Sequence, residues 1–283
     1  MARIPRIAHF VFGLRPQTEP FQLLHFLAIE SCRRLIRPER IFLHYHELPM
    51  GAYWDAIRPW LTLRRVEMSR EVHEAEYDES LVPEAYRYAH HADFVRLDAL
   101  IEHGGVYADT DTLFLRAIPE ELYEHPFVIG RESEVADELT GERKASLCNA
   151  LMMAEPGARF AVEWRDRMGA ALNGTWSNHS CLLAQRISEE LPEQVHIEPE
   201  SSFFPYPCSR EGLTALLDEG GVDTTASYSV HLWEHVWGAF ERTDFSSHHA
   251  GEYTADGLRR SSGPIGSFAR PFLPDLEVDD VPR

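Results

Sequence analysis

Asp109 and Asp111 stand two residues apart in the run Gly104-Gly105-Val106-Tyr107-Ala108-Asp109-Thr110-Asp111. On extended backbone, residues i and i+2 point the same way. At their ordinary pKa both carboxyls are ionised near neutral pH. Two convergent hard oxygens suit Mg²⁺ or Mn²⁺, an ion that keeps positions open for substrate phosphates. In a chain this acidic a D-x-D triplet arises about once by chance, so its context matters. Val106, Tyr107 and Ala108 read as a buried strand leading to the pair, and open α/β sheets bind ligands at strand C-terminal ends.

Asp93 and Arg96 precede this run, three apart and so on one face of a helix. Their plainer reading is a surface ion pair, which is functionally silent. His231-Leu-Trp-Glu234-His235 fits H-x-x-E-H, a zinc-peptidase pattern with Glu234 as general base. That reading needs a helix, whereas Ser227 to Val230 has strand character. Cys32, Cys148, Cys181 and Cys208 have no C-x-x-C spacing, so buried free thiols are expected rather than a thiolate zinc site. His90-His91 and His248-His249 read as solvated or capping residues. Trp176, Phe203, Phe204, Tyr206, Trp233 and Trp237 read as core or as a sugar-stacking groove.

These residues need elements to hold them. Ile4 to Phe12, Arg40 to Tyr45 and Leu61 to Met68 read as strands, with helical spacing over Phe21 to Leu35 and Tyr53 to Trp60. Strand–helix alternation implies an α/β fold with a mostly parallel sheet and helices on its faces. The acidic stretch 69–82 reads as a solvated loop. Pro83 opens a helix over Glu84 to His103, which Gly104-Gly105 ends. Val106 to Leu115 follows as one strand broken by carboxylates. Glu132 to Lys144 reads as a polar insertion, and Cys148 to Ala154 as a strand. Helices are expected over Arg159 to Leu172 and Cys181 to Leu191. Short strands are expected over Val195 to Glu198, Phe203 to Tyr206 and Ser227 to Leu232. We expect a main domain over 1–245 and a Ser/Gly/Pro-rich tail over 246–283, poorly packed unless it docks on the body.

The chain has 283 residues, 27 basic and 46 acidic, for a net charge of −19. That disfavours nucleic acid and an anionic membrane as partners, while an anionic substrate remains reachable through a divalent cation. No apolar run is long enough for a membrane span, and the first residues lack a signal-peptide pattern. The expected setting is cytoplasmic.

Several segments share a resemblance. His91-Ala92-Asp93-Phe94-Val95-Arg96-Leu97, followed by Gly104 to Asp111, resembles the A-x-D-x-x-R…GG-x-Y-x-D-x-D signature of DXD-motif glycosyltransferases. That group includes yeast initiating mannosyltransferases, bacterial capsule-type sugar transferases and, distantly, clostridial glucosylating toxins. Ile4 to Gly13 is similar to the family's opening strand, Asn149 to Ala154 with Pro156-Gly157 to its central strand and turn, and Ser229 to Trp233 to its late x-V-H-x-W strand. The similarity spans about residues 4–237.

The resemblance implies a GT-A-like nucleotide-sugar-binding sheet flanked by helices. It implies a mostly retaining transfer of a hexose from a nucleotide sugar, UDP-linked first and GDP-mannose next, to an unknown hydroxyl acceptor. By the same resemblance Mn²⁺ or Mg²⁺ is held directly by Asp111, with Asp109 as second ligand or ribose contact and His231 reaching the metal or diphosphate. Asp93 and Arg96 contact the donor sugar, and Tyr107 approaches the nucleotide sugar. His9, Phe10, Val11 and Phe12 line the base pocket, with Phe12 standing where relatives commonly carry tryptophan. The catalytic set so implied is Asp93, Arg96, Asp109 and Asp111. Segments 69–82 and 132–144 are expected to shape acceptor choice or act as a lid. A zinc peptidase using His231, Glu234 and His235, and a non-catalytic sugar-binding protein, stand as rival readings.

Overall fold

The computed structural model describes residues 3–77, 81–234 and 254–276. A seven-stranded sheet in the order β3-β2-β1-β4-β7-β6-β8 forms the centre. The strands are β1 (Ile7–Val11), β2 (Arg40–Tyr45), β3 (Leu61–Arg65), β4 (Gly105–Ala108), β6 (Phe127–Ala136), β7 (Arg143–Ala154) and β8 (His196–Glu198). β1 to β4 run parallel, β7 is antiparallel to both β4 and β6, and β8 is parallel to β6. The expected strand–helix alternation is present, with α1 (Leu23–Ser31) between β1 and β2 and α2 (Ala52–Ile57) between β2 and β3.

Strand alternation divides the core. Ala8, Phe10, Val106 and Ala108 face a layer with α1, α2 and the C-terminal helices. Val11, Tyr107 and Met152 face a second layer with α4 (Arg87–His103), α5 (Arg159–Ala171) and α6 (Cys181–Glu190). Burial of apolar faces on both sides is what holds a mixed sheet of this kind between helices.

The two glycines after α4 do separate work. Gly104 ends the helix at φ 64°, its N–H donating to the Leu100 carbonyl at 2.8 Å. Gly105 has φ 102°, and a Cβ there would lie 2.6 Å from the Ile7 carbonyl oxygen. Only a residue without a side chain lets β4 close on β1 at that point.

Several expectations are corrected. Val106 to Leu115 is not one strand. β4 stops at Ala108, and β5 (Thr112–Phe114) leaves the main sheet to pair with β9 (Ser229–His231), Thr112 facing His231. The supposed insertion 132–144 is the far half of the β6–β7 hairpin, with Ala136 facing Arg143. It projects with much of both faces wetted, so it lacks the apolar alternation that marks a half-buried strand. Phe203 to Tyr206 is no strand. α7 (Glu200–Phe203) leads into irregular backbone, and the buried aromatics simply fill the core.

The described part of the acidic stretch is ordered by α3 (Arg70–Glu74), which Ser69 caps and Val72 anchors in the core. The helices Ala255–Arg260 and Pro264–Ala269 dock on the body through Leu258, Ile265 and Ala269. Residues 254–276 are thus packed, because apolar residues at helical spacing lie among the polar ones. All four cysteines are free, though Cys208 is exposed rather than buried. No helix among the described residues is long and apolar enough to cross a membrane.

Candidate active site

β4, the central strand, delivers Asp109 to its C-terminal end, and the chain turns there. Asp109 N–H donates to the Ala150 carbonyl of β7 at 2.8 Å, and Thr112 N–H donates back to the Asp109 carbonyl at 3.0 Å. The turn aims Asp109 and Asp111 together. Pairing of β5 with β9 then brings His231 to them from 120 positions further along. One ligand atom from each of Asp109, Asp111 and His231 lies within 4.8 Å of the others. His231 Nε2 is 2.9 Å from Asp111 Oδ1 and 4.0 Å from Asp109 Oδ2.

Just after β9, Trp233 takes up a left-handed conformation at φ 55°, uncommon for a bulky residue. Its indole N–H donates to the Tyr206 carbonyl at 2.8 Å. That turn lets Glu234 N–H donate to Asp111 Oδ2 at 3.1 Å.

Burial pushes the Asp109 carboxyl above the usual carboxylate range, and the Asp111 charge acts the same way, against Arg96 and His231. For His231 burial opposes protonation, but Asp111 and Asp109 outweigh it and hold the imidazole pKa above its ordinary value. Two carboxylates drawn together and half-buried are eased by a nearby cation. His231 Nδ1 is buried and has no partner among the described residues. The donor set of two carboxylates and one imidazole fits Mn²⁺ or Mg²⁺.

Asp93 and Arg96 are no surface pair, since both are at least 93% buried, with relative exposures of 7% and 5%. Arg96 lies 3.3 Å from both Asp93 and Asp109, donates to the Asn149 carbonyl at 2.8 Å, and stacks over Tyr107. Asp93 also accepts from Asn149 Nδ2 at 2.7 Å and pairs with His179 Nε2 at 2.9 Å. Burial works to raise the Asp93 carboxyl, yet Arg96 and His179 hold it below the usual range. The Tyr107 hydroxyl donates to Asp109 Oδ1. Asp93, Arg96, Tyr107, Asp109, Asp111 and His231 therefore border one cleft of about 580 Å³.

Of the four residues expected at the base pocket, Val11 and Phe12 border this cleft. His9 and Phe10 do not. His9 is wholly buried, sharing hydrogen bonds with His44 at 3.0 Å and the Gly104 carbonyl at 2.8 Å, and Phe10 lies in the core. The correction follows from strand geometry, since only the C-terminal end of β1 reaches the opening. The rival H-x-x-E-H helix is not formed at its start, because His231 lies on a strand; His235, Trp237, His248 and His249 lie outside the described residues.

Residues 26–129 match the family described as the glycosyltransferase sugar-binding region containing a DXD motif. The chain is a glycosyltransferase carrying that DXD-containing region. The glycosyltransferase is 27% identical over 277 residues to glucan organizing enzyme 1 of Cryptococcus neoformans var. grubii, covering 95% of this chain and 71% of that protein. Among solved structures it is distantly similar to the PaToxG glycosyltransferase, at 14% identity and TM-score 0.43 over 67% of this chain and 70% of that one. It is similarly distant from mouse xyloside xylosyltransferase 1, at 14% identity and TM-score 0.44 over 69% of this chain and 85% of that one.

Three polar residues of the glycosyltransferase's cleft region were not assigned from sequence. Asn149 and His179 both hold Asp93, and Glu132 borders the cleft from β6. Asn149 lies within the segment similar to the family's central strand. His179 is 86 positions from Asp93, and no spacing rule links them.

Proposed function

We propose that this glycosyltransferase moves a hexose from a nucleotide sugar, UDP-linked first and GDP-mannose next, to a hydroxyl acceptor. The observation that carries this is the Asp109–Asp111–His231 cluster in the cleft of a chain with the DXD-containing region. Asp109, Asp111 and His231 would hold Mn²⁺ or Mg²⁺, which supplies Lewis-acid stabilisation of the charge on a departing diphosphate.

The chain's own groups divide the remaining work. Tyr107 and Arg96 fix Asp109, the first by a hydrogen bond and the second by charge. Arg96 and Asp93, locked together by Asn149 and His179, present a rigid polar wall to the donor sugar. Such pre-set dipoles cost no reorganisation when charge develops. Val11 and Phe12 offer an apolar edge for the base. The family resemblance supports retention of anomeric configuration. The relative's name concerns glucan, so a polysaccharide hydroxyl is the first acceptor class to try. Val135 places the β6–β7 hairpin at the cleft rim, where it would shape acceptor choice. Four free thiols support a reducing, cytoplasmic setting.

A thermal-shift screen of UDP- and GDP-sugars, each with Mn²⁺ or with EDTA, tests the reading. Native-state binding raises apparent stability by mass action, about 2.7 kcal/mol at a hundredfold excess over Kd. The expected result is a shift with one nucleotide sugar that EDTA abolishes. No shift with any of them overturns it.

A further inference from the structure

Glu132 has no part in the reading above, yet it borders the same cleft. Its Oε1 accepts a hydrogen bond from Ser146 Oγ at 2.6 Å, and the thiols of Cys181 and Cys148 are its other polar neighbours. Among the described residues it forms no ion pair. Burial pushes its carboxyl above the usual range, against those hydrogen bonds. Glu132 is half-buried, and a carboxyl partly withdrawn from water is costly unless donors reach it. Among the described residues the hydrogen bond it accepts is the one from the Ser146 hydroxyl, and the Cys181 thiol donates instead to Asn149 Oδ1.

The backbone is shaped around this residue. The β6–β7 ladder slips register between Ile129 and Gly130 and again between Glu132 and Val135, leaving Glu132 opposite Ser146 between the two irregularities. Bulges re-aim side chains and concentrate beside active sites. At Gly130 a Cβ would come within 2.6 Å of the Phe204 ring, so β6 is seated closely on the buried aromatics. The hairpin is thus fixed in a distorted form that serves the cleft better than it serves the ladder.

Strand order gives the location. β7 separates β6 from β4, so Glu132 lies roughly 10 Å to the side of the strand that carries Asp109. Glu132, Cys208, Asp111 and His231 all line the one cleft. The two ends therefore face each other across one space. With the nucleotide toward β1 and the diphosphate at Asp109 and Asp111, the group left to fill that space is the sugar.

We propose that Glu132 is a sugar-recognition residue, its carboxyl accepting hydrogen bonds from ring hydroxyls of the hexose to be transferred. The inference rests on the donor reading above. A site built to hydrogen-bond a substrate hydroxyl rejects an analogue lacking it far more strongly than an apolar pocket rejects added bulk. Glu132 would accordingly select a fully hydroxylated hexose over its deoxy forms.

The test is calorimetric titration of wild type, Glu132→Gln and Glu132→Asp in Mn²⁺ with UDP, GDP, UDP-glucose, UDP-galactose, UDP-N-acetylglucosamine and GDP-mannose. In wild type, one nucleotide sugar should bind tighter than its own nucleoside diphosphate. In Glu132→Gln the diphosphate should bind as before, while the affinity added by the sugar falls roughly tenfold or more. Glu132→Asp should keep part of it. An unchanged ratio in both variants overturns the proposal, as does a wild type whose sugar adds nothing. A variant that loses the diphosphate too, with a lowered Tm, makes Glu132 a structural prop and also overturns it. If wild type binds none of the six, the donor reading fails first and takes this assignment with it.

Discussion

At the scale of single residues, each proposed metal-holding group has a supporting partner whose removal has its own signature. Asp111 accepts from Glu234 N–H and pairs with His231, so Asp111→Asn keeps its hydrogen-bonding shape and loses its charge. We expect that variant to fold normally, to lose the EDTA-sensitive thermal shift, and to turn over donor roughly 100-fold or more slowly. Donor hydrolysis at the wild-type rate would refute the assignment. Tyr107→Phe removes only the hydroxyl that orients Asp109. Groups that orient a ligand typically tune metal affinity by 10- to 100-fold, so Mn²⁺ should bind roughly 10-fold more weakly by titration. Arg96→Lys cannot reproduce the several contacts of a planar guanidinium to Asp93, Asp109 and the Asn149 carbonyl. It should impair sugar engagement more than nucleotide binding, a split that kinetics with varied donor would show.

At the scale of elements, the Gly104-Gly105 turn couples α4 to the sheet. Gly105→Ala must hold an alanine at φ 102° with its Cβ against the Ile7 carbonyl. We expect a loss of ~1–3 kcal/mol in urea unfolding, with turnover falling as β4 shifts, and an unchanged midpoint would contradict the packing argument. This turn, α4 and the first three strands were legible in the sequence because periodicity and helix-ending glycines are local signals. Arg40 to Tyr45 even has the expected ends. The split of Val106 to Leu115 was not legible, since β5 leaves the sheet only because β9 waits elsewhere. The β6–β7 hairpin hid behind its polarity. The Asp109–Asp111 pair was readable from its spacing together with the apolar strand that leads to it, but Asn149, His179 and Glu132 depend on chain crossings that no pattern announces. His9 and Phe10 were expected at the base pocket from the resemblance to the family's opening strand, which does not say how far along β1 the opening lies.

At the scale of the whole molecule, buried histidine sets the response to acid. Burial lowers His9 and His91 to about 4, and His44 and His90 to about 3, from an ordinary 6.5. Their stabilising contribution is complete above pH 6.5, where both folded and unfolded chains hold them neutral. As pH falls below that, the unfolded chain takes up protons that the folded chain refuses until about pH 4 or 3. Stability should therefore drop between pH 6.5 and 4, by up to about 1.4 kcal/mol per pH unit for each histidine. Urea unfolding at pH 7, 6 and 5 measures this, and equal free energies at all three would exclude it. The long reach from Asp111 to His231 also has a consequence in time. A chain emerging residue by residue presents both aspartates well before Ser229–His231 exists to pair with β5. Contacts this distant in sequence form late, after the local ones. A nascent or prematurely ended chain carries the two aspartates without the third residue proposed to hold the metal, so on that proposal donor turnover starts only once synthesis has passed β9.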